Sequence, residues 1–144
     1  MATVVRKAAD EQVASSTLQN DDELVLAIGA AEVWIIHYYL LLDLGSATPD
    51  FKATISIPSG TAKGMTSTAA ALANIMAHDY AGAAGTTLTA ALTSGQLCGM
   101  VMYWIVKNGA TAGDVTLRWA QNVNTPATNT KVLADSFLVA WQAP

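Results

Sequence analysis

Charge is what this chain has least of. Charged residues make up 12% of the sequence, about half the usual ~25%. Seven basic and eleven acidic residues must cover the surface of 144 residues, which suggests that part of the surface is covered by something other than water. No basic cluster larger than Arg6-Lys7 occurs and the net charge is −4. Nucleic-acid binding relies on Lys and Arg neutralising phosphates, so no nucleic-acid partner is expected. Cysteine is nearly absent: Cys98 stands alone, excludes an intramolecular disulfide and fits folding in a reducing compartment. Met-Ala-Thr is not followed by a basic segment and an apolar core, so no secretory signal is expected. Long apolar runs are missing too. No residue is charged between Asp79 and Lys107, yet Gly, Thr and Ser interrupt that stretch, and neither a transmembrane helix nor a membrane partner is expected.

What is present is the stretch 33–43, VWIIHYYLLLD. It is too short for a membrane span and a good length for a strand. A period of two puts Val33, Ile35, His37, Tyr39 and Leu41 on one face and Trp34, Ile36, Tyr38, Leu40 and Leu42 on the other. Both faces are apolar, so both call for cover, from within the subunit or from a neighbour. The stretch 97–107, LCGMVMYWIVK, has the same two-sided character. Trp34 and Trp104 are expected to be largely buried.

The remaining segments read as shorter strands between turns. Residues 1–20 form an N-terminal arm or edge strand, with Arg6 and Lys7 as candidates for reaching a separate subunit. Residues 21–144 form a single domain. Asn20-Asp21-Asp22 is a turn signal, 23–28 a strand, and Gly29-Ala30-Ala31 a short turn predicting a hairpin with the central strand. DFKATISI alternates over 50–57, with Lys52, Thr54 and Ser56 on a wet face. The stretch 65–79 is ambiguous: its alanines fit a helix capped by Ser67 or Thr68, and a strand over 72–80 is preferred. Weak β character over 86–92, alternation in DVTLRWAQ, and short strands at 131–134 and 137–141 complete the set. Seven to nine strands with helix at most minor predict an all-β fold, an antiparallel β-sandwich of jelly-roll-like kind.

Candidate chemistry is sparse. His37 and His78 lack the H-x-x-H or C-x-x-C spacing of a zinc site, and a hydrogen-bonded core or interface histidine is the plainer reading. Asp21-Asp22-Glu23 could ligate calcium, but the EF-hand pattern is absent and a solvated turn is simpler. Cys98 has no basic neighbour to activate it. No carboxylate pair stands out for glycoside hydrolysis. The expectation is no enzyme, no catalytic residue, no metal and no cofactor. Trp34, His37, Tyr38, Tyr39, Trp104 and Trp119 are the residues expected in the core or at an oligomer interface. The tryptophans also raise a carbohydrate-binding reading, although they lie in strands and not in loops.

The segment KNGATAGDVTLRWAQNVNTPATNTKVLADSFLVAWQ resembles the C-terminal part of small structural proteins of tailed bacteriophages. LQNDDELVLAIGAAEVW and TPDFKATISIPSG resemble the same group, so the likeness runs over residues 17–141 and matches poorly across 62–92. No catalytic residue belongs to the pattern. The resemblance implies a virion component made in the bacterial cytoplasm, a β-sandwich that decorates or cements a capsid. Its partners would be the major capsid protein and itself, as a homo-oligomer, with a trimer preferred because capsid lattices offer three-fold positions. A tail or tail-fibre component, with a sugar-binding role, is the alternative.

Overall fold

The computed structural model describes residues 1–46, 48–69, 76–81, 88–90 and 97–144, with side chains described outside 67–97. Among the described residues, twelve strands lie in two sheets and no helix occurs. The chain is an antiparallel β-sandwich. The larger sheet runs β1 (Ala2–Arg6), β12 (Phe137–Ala143), β4 (Val33–Asp43), β9 (Leu97–Lys107), β6 (Thr61–Ala69), β7 (Met76–Ala81). Two short strands, β11 (Thr130–Val132) and β2 (Glu11–Val13), extend it beside one end of β4. The smaller sheet runs β3 (Gln19–Ile28), β10 (Gly113–Gln121), β5 (Phe51–Ser56), β8 (Leu88–Ala90).

The two doubly apolar strands are the centre of the larger sheet. β4 pairs with β9 along its whole length, from Val33 opposite Lys107 to Asp43 opposite Leu97. Their even-numbered side chains, Ile36, Tyr38, Leu40, Leu42, Met100, Met102, Trp104 and Val106, are buried. They pack with Leu24, Leu26, Phe51, Ile55, Val115, Leu117 and Trp119 of the smaller sheet in one hydrophobic cluster. One glycine makes this packing achievable. Gly64 lies directly opposite Trp104 in the β6–β9 ladder, and a Cβ there would collide with the indole.

Several local expectations are corrected. β3 and β4 form no hairpin, because they belong to different sheets. Their connection is tied to the β9–β10 connection instead. Ala31, at φ 58°, donates its N–H to Gly109 O at 2.7 Å, and Asn108 N–H donates to Glu32 O at 2.8 Å. The buried Asn108 amide donates to Gly29 O at 2.6 Å and Thr111 O at 2.8 Å. These turns therefore hold each other, and both chains cross between sheets at one end of the sandwich. Asn20-Asp21-Asp22 is inside β3, not a turn before it. The turn chemistry survives as an irregularity: the register with β10 jumps from Val25 opposite Thr116 to Asn20 opposite Arg118. Ser67 and Thr68 cap no helix; they pair with Val101 and Met100 in β6. Of the strand expected over 72–80, residues 76–80 lie in β7, and 72–75 fall outside the described residues. Thr54, expected on a wet face, is buried and pairs with Arg118.

Candidate functional site: the outer face of the larger sheet

Registered strands place side chains of paired residues on one side of a sheet. Across the larger sheet one such row reads Val4, Val139, His37, Tyr103, Met65. The next reads Ala2, Trp141, Ile35, Ile105, Lys63, and a third Arg6, Phe137, Tyr39, Val101. This is the side turned away from the core. Val4, Ile35, Leu41, Met65, Tyr103, Ile105 and Trp141 are all exposed on it, Ile105 at 50% and Trp141 at 39%. Together these exposures equal about three whole large side chains, roughly 600 Å² at ~200 Å² each, at the upper end of the ~300–600 Å² of the largest patch on an ordinary monomer.

Among the described residues, charge lies at the margins of the face. Arg6 pairs with Asp135 at one corner, 3.1 Å from Nε to Oδ1. Asp43 lies 3.8 Å from Lys131 at the far end of β4, and Lys63 and Lys107 lie on the β6–β9 side. In the middle, His37 is packed edge-on against Tyr103 and Trp141, with ring centres 4.7 and 5.0 Å away. Burial lowers the His37 pKa from its ordinary 6.5, so the imidazole is neutral at neutral pH. Tyr39 stacks on Phe137 at 4.7 Å. Between β4, β9 and β6 lies a shallow groove of about 380 Å³, lined mainly by Ile35, His37, Tyr103, Ile105, Lys63 and Met65.

The residues singled out in the sequence are thus divided. His37 and Tyr39 belong to the outer face, half-buried among other rings. Tyr38, Trp104 and Trp119 are in the core. Trp34 departs from its expected burial. It is only half-buried at the sheet end, where its indole N–H donates to Glu32 Oε2 at 2.8 Å. That bond, with one from Gly29 N–H, holds the Glu32 carboxyl below its ordinary range. His78 is placed by its backbone alone, in β7 opposite Ser67.

Lys7 also corrects an expectation: it does not reach outward. Its side chain is 1% exposed, with Nζ 2.6 Å from Glu11 Oε2 and 3.0 Å from Asp21 Oδ1. Asp21 in turn accepts the Trp119 indole N–H at 3.2 Å and the backbone N–H of Leu24 at 2.8 Å. Burial opposes the Lys7 charge, but the hydrogen bonds to Glu11 and Asp21 outweigh it and hold the pKa above 10.5. Burial raises Glu11, with the Asp21 charge adding to it, against the hydrogen bond from Lys7. No group of three or more His, Cys, Asp or Glu among the described residues is arranged to hold a metal ion.

Alkaline pH provides a test of this interior. Burial and, secondly, the Asp43 charge push the Cys98 thiol from 9.0 up to about 11. Burial, with the Asp21 charge second, pushes the Tyr38 hydroxyl above its ordinary 10.0, and Lys7 is raised as well. Each group keeps its proton longer folded than unfolded. Stability from these groups is complete below pH 9.0 and is lost as pH rises through about 11 and beyond. Urea midpoints are expected to be flat from pH 7 to 9 and to fall steadily above, with the earliest part of the fall missing in Cys98→Ser. A midpoint that rises with pH in that range would contradict the assignment.

No family model matches the chain, and no curated protein does. Among solved structures, a chain titled "Structure of infectious bursal disease virus Gt strain" aligns over 97% of this chain at 14% identity and a TM-score of 0.24. The aligned region spans 37% of that chain's length.

Proposed function

We propose that this protein is a virion structural subunit of a tailed bacteriophage, a capsid decoration protein that acts by contact and not by catalysis. The observation that carries the reading is the apolar outer face of the larger sheet, rimmed by Arg6, Asp43, Lys63 and Lys107. An apolar centre with a charged margin is how protein contact surfaces are built. Its open area, roughly 600 Å², is three-quarters of the ~800 Å² that each partner gives to a standard interface. The resemblance of residues 17–141 to phage structural proteins supplies the kind of assembly, and the working form is a homo-oligomer, a trimer, with its polar rim on the shell. Mass spectrometry of purified particles and imaging of their heads test this. The expected result is the protein in stoichiometric amount at regular capsid positions. Confinement to the tail, or absence from particles, would remove the capsid assignment.

A second reading has one observation in its favour. Trp141, exposed beside His37 and Tyr103, is an aromatic platform of the kind that stacks on sugar rings. A tail-fibre module using it would show saturable quenching of tryptophan fluorescence by host-surface glycan, lost in Trp141→Ala.

A further inference from the structure

The outer face carries both a projection and a recess. Trp141 stands out from β12, 39% exposed, on one side of β4. The groove lined by Ile35, His37, Ile105, Tyr103, Lys63 and Met65 lies over β4, β9 and β6, with Trp141 at its edge against His37. Row register puts Trp141, Ile35, Ile105 and Lys63 in line across four adjacent strands. Adjacent strands are about 4.8 Å apart, so the backbones at Trp141 and Lys63 are separated by roughly 14 Å. Trp141 thus lies against the His37 wall of its own groove and leaves the far wall, at Ile105, Met65 and Lys63, open to another occupant.

We propose that Trp141 of one copy seats in the Ile105–Met65–Lys63 groove of a second copy, and that this contact is what assembles the subunits. The inference rests on the homo-oligomer part of the proposed function and names the residues that carry it. Three observations favour a second copy over another occupant. The open area of the face, roughly 600 Å², is about what each partner gives to a small stable interface. The groove, about 380 Å³ in volume and largely apolar, has room for an indole, and tryptophan is the residue type most enriched at interface hot spots. The face offers a few marginal cations in a protein of net charge −4, which suits neither an anionic membrane nor a strongly charged partner. A projection on one side of a face and a recess on the other can close head to tail into a ring, and can also close reciprocally into a pair. Both use the same residues. The neutral His37 imidazole beside Trp141 places no like charges between the copies.

The test uses the isolated full chain carrying Trp141→Ala and Ile105→Asp, singly and together. Ile105 is half-exposed in the groove, so its substitution leaves the core untouched. Each single variant is expected to weaken self-association, and the double variant little further than either, because both remove one contact. Trp141→Ala alone is expected to raise the dissociation constant by roughly 30-fold or more in sedimentation, with an unchanged circular dichroism spectrum. Self-association indifferent to Ile105→Asp, or losses that simply add in the double variant, would overturn the proposal. An oligomer indifferent to Trp141→Ala would overturn it while leaving the homo-oligomer standing. Wild-type protein sedimenting only as a 15.0 kDa species at micromolar concentration would overturn both. Whether the protein belongs to the virion is decided separately, by particle content.

Discussion

Lys7→Met is expected to cost about 3–5 kcal/mol of folding stability, the usual penalty for breaking a buried ion pair from one side. The methylene stem is nearly retained by methionine, so packing changes little and the loss is electrostatic. What remains is Asp21, with a fully buried side chain, still accepting hydrogen bonds from Trp119 and the Glu23 and Leu24 backbone. Glu11 remains beside it, 15% exposed and already raised by burial. Two carboxylates would then face each other without the cation between them. The measurement is urea unfolding at pH 7. Adding Glu11→Gln to Lys7→Met is expected to recover part of the loss, because the charges act as one unit and their effects are not additive. A loss below 1 kcal/mol for Lys7→Met would mean the ammonium is not desolvated. By contrast Arg6→Ala, which removes an ion pair with both partners about two-thirds exposed, is expected to change stability by less than about 1 kcal/mol.

Trp104→Ala is the other large effect, at about 3–5 kcal/mol. Its side chain is 1% exposed and fills the inner face of β9 opposite Gly64, and the rigid backbone around that glycine cannot collapse into the space. Trp34→Ala is expected to cost only about 1–2 kcal/mol, in keeping with partial burial. The contrast between two tryptophans on paired strands tests the assignment of inner face and sheet end. Trp104→Phe is a finer probe. The Trp104 indole N–H is buried without a hydrogen-bond partner among the described residues, and such a group costs about 1–3 kcal/mol. Removing it offsets part of the cavity penalty, so the phenylalanine variant is expected to fall well short of the alanine loss. Equal losses for Trp34→Ala and Trp104→Ala in thermal or urea unfolding would contradict this picture.

β4 and β9 were legible as central strands because about ten mostly apolar residues, with Gly99 the one Gly or Pro among them, alternate in side-chain direction whatever lies around them. Which face of β4 becomes core was not legible. Ile36, Tyr38 and Leu40 differ little in hydrophobicity from Ile35, Tyr39 and Leu41, and only the position of the smaller sheet distinguishes them. β6 escaped notice over 61–64 because TAKG carries no β-branched run. Its Gly64 looks like a strand breaker until Trp104 is seen to occupy the missing Cβ position. The Lys7–Asp21 pair gave no signal at all. Fourteen residues separate its members, and each reads locally as an ordinary surface charge.

The sequence by itself determined the strand-rich class, the two long interior strands, the shortage of surface charge and the prospect that one apolar face would lie open. All of these follow from residue type and a period of two, which are local properties. The tertiary structure alone decided that β3 and β4 part into different sheets, that Lys7 turns inward, and that His37, Tyr103 and Trp141 meet on one face. Those outcomes depend on hydrogen bonds and contacts between residues far apart in the chain, such as Asn108 with Gly29 and Trp119 with Asp21. Their free energies appear only once the strands are in register, so no window of neighbouring residues contains them.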